Sequence, residues 1–408
     1  MHILIDELNE SLWVAATQNN KLKDLEIDPF EEEVRSGSVY WARVIKIDKA
    51  MDAAFVQLDE DNAGILHNTD FFGLTKDGKL ERDGNIAIAK KIKAGDMLAV
   101  QAKSGYLPRI DNTDITMEDK SVRVSMNITL PGRYLIYAPS MENNRVSKRI
   151  RDKKERKQLT KMLNEVEMIK GCILRAAAAN TQTDVLIRES EILKHIWEEL
   201  QNYFEGNTPF QVMDGPDSIR RMLSDQAAYQ IDRIDVSTMD QFKEVEEWCE
   251  IYAPDLVTKI HPADLPQPDA DLALFDFHDL LDQVDMLFEP YILMNGGGNI
   301  IIQDTAALTA IDINRGGDTR GNLAINLDAL SEIGRQIRLR NLGGIIVIDF
   351  LKMNKKIEKD TLLAAFEGII AEDPCTVQLH GLTNLGLVEL TRQRRTPPLQ
   401  QRLDLALD

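Results

Sequence analysis

In the last third of the chain, two short apolar runs each carry an aspartate near the end. Residues 307–314 read Ala-Leu-Thr-Ala-Ile-Asp-Ile-Asn, and residues 343–350 read Gly-Gly-Ile-Ile-Val-Ile-Asp-Phe. Both are rich in Ile or Val and flanked by glycine on at least one side, a pattern that predicts buried strands. Side chains alternate along a strand, so Asp312 and Asn314 share a face. Between the runs lies a Gly/Arg-rich loop, residues 315–322, followed by a helical pattern over residues 327–340. After Asp349 the pattern predicts a helix over 360–371 and strands over 376–380 and 385–391. A carboxylate is costly to bury without a partner. Two of them on neighbouring apolar strands point to a shared cation, and Asp and Asn oxygens suit Mg²⁺. The alternative is that each strand-end aspartate caps the segment after it. The pattern alone leaves both readings open.

Earlier in the chain, residues 3–30 read as short strands with a turn at Asn19-Asn20. They are too few to stand alone and must pair with a later segment. Apolar alternation then predicts strands over 38–48, 53–58, 64–67, 97–102 and 120–128, which suggest a small barrel of the OB type. Such barrels bind single strands through stacked aromatics and basic side chains. The candidates are Tyr40, Phe55, Lys103 and Lys120; the competing reading puts Tyr40 and Phe55 in the core. Residues 131–205 mix strands and helices. Within them, Arg145 to Lys161 carries nine basic residues against Asp152 and Glu155, either a solvated helix face or a phosphate-binding patch. A strand over 209–213 and helices over 217–225 and 239–252 make residues 209–260 the expected companion of the N-terminal strands. Three prolines in residues 261–269 mark a boundary. An amphipathic helix over 272–287 and a glycine turn at 295–299 between strands complete the pattern.

Composition narrows this picture. A chain of 408 residues holds two to four domains at about 100–200 residues each. Its net charge of −19 argues against non-specific binding to polyanions, so a nucleic-acid site must be local. Cys172, Cys249 and Cys375 form no metal-ligand or disulfide spacing and fit a reducing, cytoplasmic setting. Early acidic residues argue against a signal peptide, and no apolar run is long enough to span a membrane. The histidines show no zinc-protease spacing, and neither GxSxG nor a Walker loop occurs.

Several segments, taken in order, resemble the ribonuclease E/G family of bacterial endoribonucleases. They are AAFVQL (53–58), LPGRYLIYAP (130–139), VSKRI (146–150), ALTAIDIN (307–314), IRLRNLGGIIVIDF (337–350) and GLVELTRQR (386–394). The resemblance implies an α/β multi-subdomain fold. Residues 1–34 and 206–270 would form an RNase H-like subdomain, and 35–128 an inserted OB-type RNA-binding barrel. Residues 129–205 would be a 5′-sensor-like subdomain, 271–402 a DNase I-like catalytic subdomain, and 403–408 a tail. By position, Asp312 and Asp349 match the family's two magnesium-binding aspartates, and Asn314 matches the asparagine supporting them. Phe55, Lys103 and Lys120 look like RNA-binding residues of the barrel. Arg175 matches the sensor arginine that grips a 5′-monophosphate, and Arg338 and Arg340 are further candidate phosphate contacts. The implied activity is Mg²⁺-dependent cleavage of single-stranded RNA, not DNA, to 5′-phosphate and 3′-hydroxyl ends.

The departures carry expectations too. The family's sensor threonine is Ala176 here, its second sensor arginine falls at Thr376, and a second barrel aromatic is Ile65. Ala306 stands where a glutamate is frequent. Losing a hydroxyl and a guanidinium removes charge-assisted bonds to a phosphate, so 5′-monophosphate preference should be weak or absent. The paired-cysteine zinc link expected after Pro398 does not occur before Asp408, so a zinc-linked dimer is not expected. Two other functions compete with the nuclease: a non-catalytic RNA-binding protein derived from the family, and a phosphoesterase acting on something other than RNA.

Overall fold

The computed structural model describes residues 1–8, 10–30, 34–74, 80–82, 85–105, 122–179, 181–265, 271–305 and 307–407. Lys120 and Ala306 lie outside the described residues. The chain is mixed α/β and divides into two compact units. One comprises residues 1–30, 231–244 and 259–408; the other comprises 31–230 and 245–258.

The first unit holds two sheets. In the smaller, the order is Ile260–Pro262, Arg233–Val236, His2–Leu8, Ser11–Gln18, Lys21–Pro29. The N-terminal strands form an antiparallel meander, and His2–Leu8 takes Arg233–Val236 as a parallel neighbour. Asn19 and Asn20 both adopt positive φ in the connecting turn, the backbone that a tight hairpin with right-handed strand twist needs. The larger sheet has six strands, ordered Tyr291–Leu293, Asn299–Asp304, Thr309–Asn314, Gly344–Asp349, Val388–Gln393, Thr376–Leu382. Its central pair, Thr309–Asn314 and Gly344–Asp349, is parallel, and the helix Asn322–Leu339 makes the crossover between them. Ile300, Ile311, Ile313, Ile346, Ile348 and Leu390 pack under Ile325, Leu330 and Ile333 of that helix and Leu362 and Phe366 of Lys356–Ala371. Alternate residues of the central strands, among them Asp312, Asn314 and Asp349, are exposed. The sheet therefore has one apolar, covered face and one polar face.

The expected continuous helix over 272–287 is two short ones, Ala273–Phe277 and Leu281–Asp285. The break falls at Asp279, whose φ of 54° is left-handed and cannot continue an α-helix.

In the second unit, Val39–Asp48, Ala53–Gln57, Ala63–His67, Val122–Ser125 and Met97–Ala102 close into a five-stranded barrel. Closure follows because Val39–Asp48 pairs with both Ala53–Gln57 and Met97–Ala102. Tyr40, Ala42, Val44, Ala54, Val56, Leu66, Val100 and Val124 fill it. A Cβ at Gly64 would lie 2.7 Å from Val124 Cγ1, so this strand approaches its neighbour on the strength of that glycine. Phe210–Met213, expected beside the N-terminal strands, instead lies antiparallel to Val39–Asp48. A four-stranded sheet, ordered Leu130–Pro131, Leu135–Tyr137, Cys172–Leu174, Arg145–Val146, packs with Leu186, Leu193 and Leu200 of helix Thr183–Gln201. The basic run becomes the helix Lys153–Glu165, capped by Asp152, whose carboxylate accepts the N–H groups of Lys154 and Glu155.

Candidate active site

Asp312 and Asp349 are direct partners in the parallel pairing of the two central strands. Adjacent strands lie about 4.8 Å apart, and register partners point to the same face, so the two carboxylates stand side by side. Both are exposed at the C-terminal ends of their strands. Among the described residues, neither forms an ion pair with a lysine or arginine. The Asn314 amide donates to Asp312 Oδ2 at 3.0 Å and to Asn299 Oδ1 at 3.3 Å. Asn299 is the register partner of Asn314, a contributor that the sequence pattern did not single out. The result is a patch of acceptor oxygens with few internal donors. That donor set fits a hard divalent cation, which takes oxygen ligands, retains water and needs only one or two carboxylates.

The segments around the pair are held in place. Fully buried Asn326 donates to the Leu351 carbonyl at 2.8 Å and accepts the Leu351 N–H at 3.0 Å. Asn322 donates to the Lys352 carbonyl at 2.7 Å. The crossover helix thus fixes the chain just after Asp349. The loop after Asn314 is tied by its own arginines: Arg315 donates to the carbonyls of Asp318 and Arg320, and Arg320 grips the Asp318 carboxylate. That grip, made by the side chain and the backbone N–H of Arg320, holds the Asp318 carboxyl down to about 2.

This arrangement sits inside a stretch with clear relatives. Residues 129–395 match the model of the ribonuclease E/G family. Ribonuclease G of Salmonella typhimurium (strain SL1344) is 30% identical over 405 residues, covering 96% of this chain and 79% of that protein. The chain belongs to the ribonuclease E/G family. Ribonuclease G of Escherichia coli (strain K12) is 29% identical over 414 residues, covering 98% of this chain and 81% of that one. Ribonuclease E of Haemophilus influenzae (strain ATCC 51907 / DSM 11121 / KW20 / Rd) is 26% identical over 416 residues, covering 96% of this chain and 41% of that longer protein.

Of the candidate RNA-contacting aromatics of the barrel, Tyr40 is buried in the cluster that fills it, and Phe55 lies outside that cluster but is itself only 9% exposed. A register shift between Val44 and Lys46 brings Lys46 opposite Phe55. The Lys46 ammonium lies 4.7 Å from the ring centroid, within cation–π range. Ile65 is the cross-strand partner of Phe55, and Arg123 is the partner of Ile65. Lys46, Phe55, Ile65 and Arg123 therefore form a row across four strands. Arg123 is paired with Asp70 at 2.7 Å.

Three other cations expected to meet RNA are engaged internally. The Lys103 ammonium donates to Gln101 Oε1 at 2.9 Å and to the Asn127 carbonyl at 3.0 Å. Burial pushes its pKa down to about 8. Arg175 is ion-paired to buried Asp225 at 2.6 Å and donates to the Gly132 carbonyl at 3.0 Å. Arg340 donates to Gln336 Oε1 and to the Glu289 carbonyl, both at 2.7 Å, and burial lowers its pKa to about 10. Arg338 lines a pocket with Arg392, Arg395 and Arg402. Near Arg175, the Glu189 carboxylate accepts the backbone N–H groups of three successive residues, Arg133, Tyr134 and Leu135. Its burial raises its pKa to about 7, against the pull of those donors and of Arg175.

Proposed function

We propose that this chain is a Mg²⁺-dependent endoribonuclease that cleaves single-stranded RNA, leaving 5′-phosphate and 3′-hydroxyl ends, in RNA processing or decay. The in-register, exposed Asp312–Asp349 pair carries the reading, and membership of the ribonuclease E/G family supplies the substrate class. Asp312 and Asp349 would hold the ion. Asn314 would orient Asp312 through its amide. Bound there, Mg²⁺ supplies charge stabilisation for the scissile phosphate and makes attacking water available at neutral pH. The exposed sheet face leaves room for a phosphodiester, and the Asn326 clamp keeps the Asp349 strand end from drifting. Along the barrel, the exposed edge of Phe55 would meet a base, with Lys46 over its ring and Arg123 in the same row. Unstacked bases of single-stranded RNA suit such a surface.

The family's subdomain plan supports the same reading. The pairing of His2–Leu8 with Arg233–Val236 accords with an RNase H-like subdomain assembled from two stretches. Residues 35–128 would be the inserted barrel, 129–205 the sensor-like subdomain and 271–402 the DNase I-like catalytic one. The buried thiols of Cys172, Cys249 and Cys375 are in keeping with a cytoplasmic enzyme. No helix among the described residues is long and apolar enough to cross a membrane. The test is cleavage of an unstructured, end-labelled RNA with Mg²⁺. Asp312→Asn and Asp349→Asn should each slow cleavage by about 100-fold or more, the scale of a lost transition-state contact. Variants that cut as fast as wild type would show the site to be wrongly assigned.

A further inference from the structure

A second cluster of ligating side chains lies in the first unit. His2 and Asp235 stand on adjacent parallel strands, and His278 follows the short helix Ala273–Phe277. Asp6, on the same face of its strand as His2, accepts the N–H of Leu274 at 2.9 Å. This docks the start of that helix, and its far end brings His278 over His2. The two imidazoles meet edge to face, with centroids 5.0 Å apart. His2 Nε2 lies 2.7 Å from Asp235 Oδ2. One ligand atom from each of the three residues falls within 4.8 Å of the others.

We propose that His2, Asp235 and His278 form a site for a divalent transition metal of the Zn²⁺ class. Two imidazoles and one carboxylate are a donor set for Zn²⁺, Fe²⁺ or Ni²⁺ and not for Mg²⁺, which prefers oxygen. With metal–ligand bonds of about 2.1 Å, neighbouring donors sit about 3.4 Å apart, so the loosest pair need close by only about 1.4 Å. Arg233 Nε lies 2.8 and 2.9 Å from the two oxygens of Asp235. Such a hydrogen-bonded carboxylate is oriented as outer-shell partners orient metal ligands. His2 and His278 line an open pocket of about 360 Å³. Three protein ligands leave a coordination position facing that space, the pattern of sites that bind a further small ligand.

The experiment uses the full chain carrying Asp312→Asn and Asp349→Asn, so that the oxygen site cannot contribute, titrated with Co²⁺ and followed in the visible range. One saturable equivalent is expected, with d–d absorption of a nitrogen-ligated ion, undisturbed by millimolar Mg²⁺ and displaced by Zn²⁺. Adding His278→Ala or His2→Ala should weaken binding at least tenfold. Asp235→Asn, nearly isosteric, should do the same, measured at a temperature where circular dichroism shows the variant folded. Absence of a saturable visible band in the parent, competition by Mg²⁺, or undiminished binding in the histidine variants would overturn the site. None of these outcomes depends on nuclease activity.

Discussion

Asn326→Leu tests whether the crossover helix positions the Asp349 end of the proposed catalytic pair. Leu keeps the volume of the side chain but neither of its hydrogen bonds. In the wild type those bonds satisfy both backbone groups of Leu351, at 2.8 and 3.0 Å, from a residue with no exposed surface. Leu351 lies two residues beyond Asp349. Leaving a partly buried N–H and C=O without partners costs about 1–2 kcal/mol each, so the variant should lose about 2–4 kcal/mol of stability. The catalytic cost comes from geometry, since a displacement of about 1 Å at a reacting group can cost about 100-fold in rate. Urea unfolding should show a lower midpoint at unchanged slope. Cleavage of a labelled single-stranded RNA should fall by about tenfold or more, measured where the variant is still folded. RNA binding should hold, because the Phe55 row lies in the other unit. A variant as stable and as fast as wild type would refute the clamp. Equal loss of binding and cleavage would show that the effect does not act through Asp349.

Other consequences are as direct. Lys103 has a folded pKa of about 8 against about 10.4 for an exposed lysine, so between these values the unfolded chain binds more protons and stability rises with pH. The stability difference between wild type and Lys103→Met should therefore move by about 3 kcal/mol in favour of wild type from pH 8 to pH 10.5; a flat difference in urea unfolding would exclude a buried ammonium. Phe55→Ala should weaken binding of single-stranded RNA by about 1–3 kcal/mol, the worth of one stacked base, with no change in the salt dependence, because no phosphate contact is removed. Matched 5′-monophosphate and 5′-hydroxyl RNAs should be cleaved within about threefold of each other, since Arg175 is already paired with Asp225 and a charge-assisted grip needs an available cation. Chelation of divalent ions should abolish cleavage, and Mg²⁺ should restore it.

What the chain discloses depends on whether a feature is local. The placement of Asp312 and Asp349 on one exposed face was legible because strand alternation fixes which side of a sheet a residue faces, and both runs carry enough Ile and Val to be strands in any context. The barrel strands were legible for the same reason, and the helix Met239–Tyr252 from its helical spacing of apolar residues. Pairing partners were not: Phe210–Met213 is only four residues long, and nothing in it says that it belongs beside Val39–Asp48 and not with the N-terminal strands. The helix break at Asp279 was hidden because aspartate enters the left-handed region only when its surroundings select it. Cations are the hardest case. A lysine or arginine aligned with a family's RNA contact looks the same in sequence whether it faces solvent or an internal acceptor. Asp225, Gln101 and the carbonyls of Gly132, Asn127 and Glu289 engage Arg175, Lys103 and Arg340 internally, and all of them but Gln101 are distant from their partners in sequence. An acidic protein has many such acceptors. With a net charge of −19, the chain as a whole repels a polyanion, so RNA affinity should depend on local groups of exposed basic residues, among them those of the helix Lys153–Glu165 and Lys46 beside Phe55.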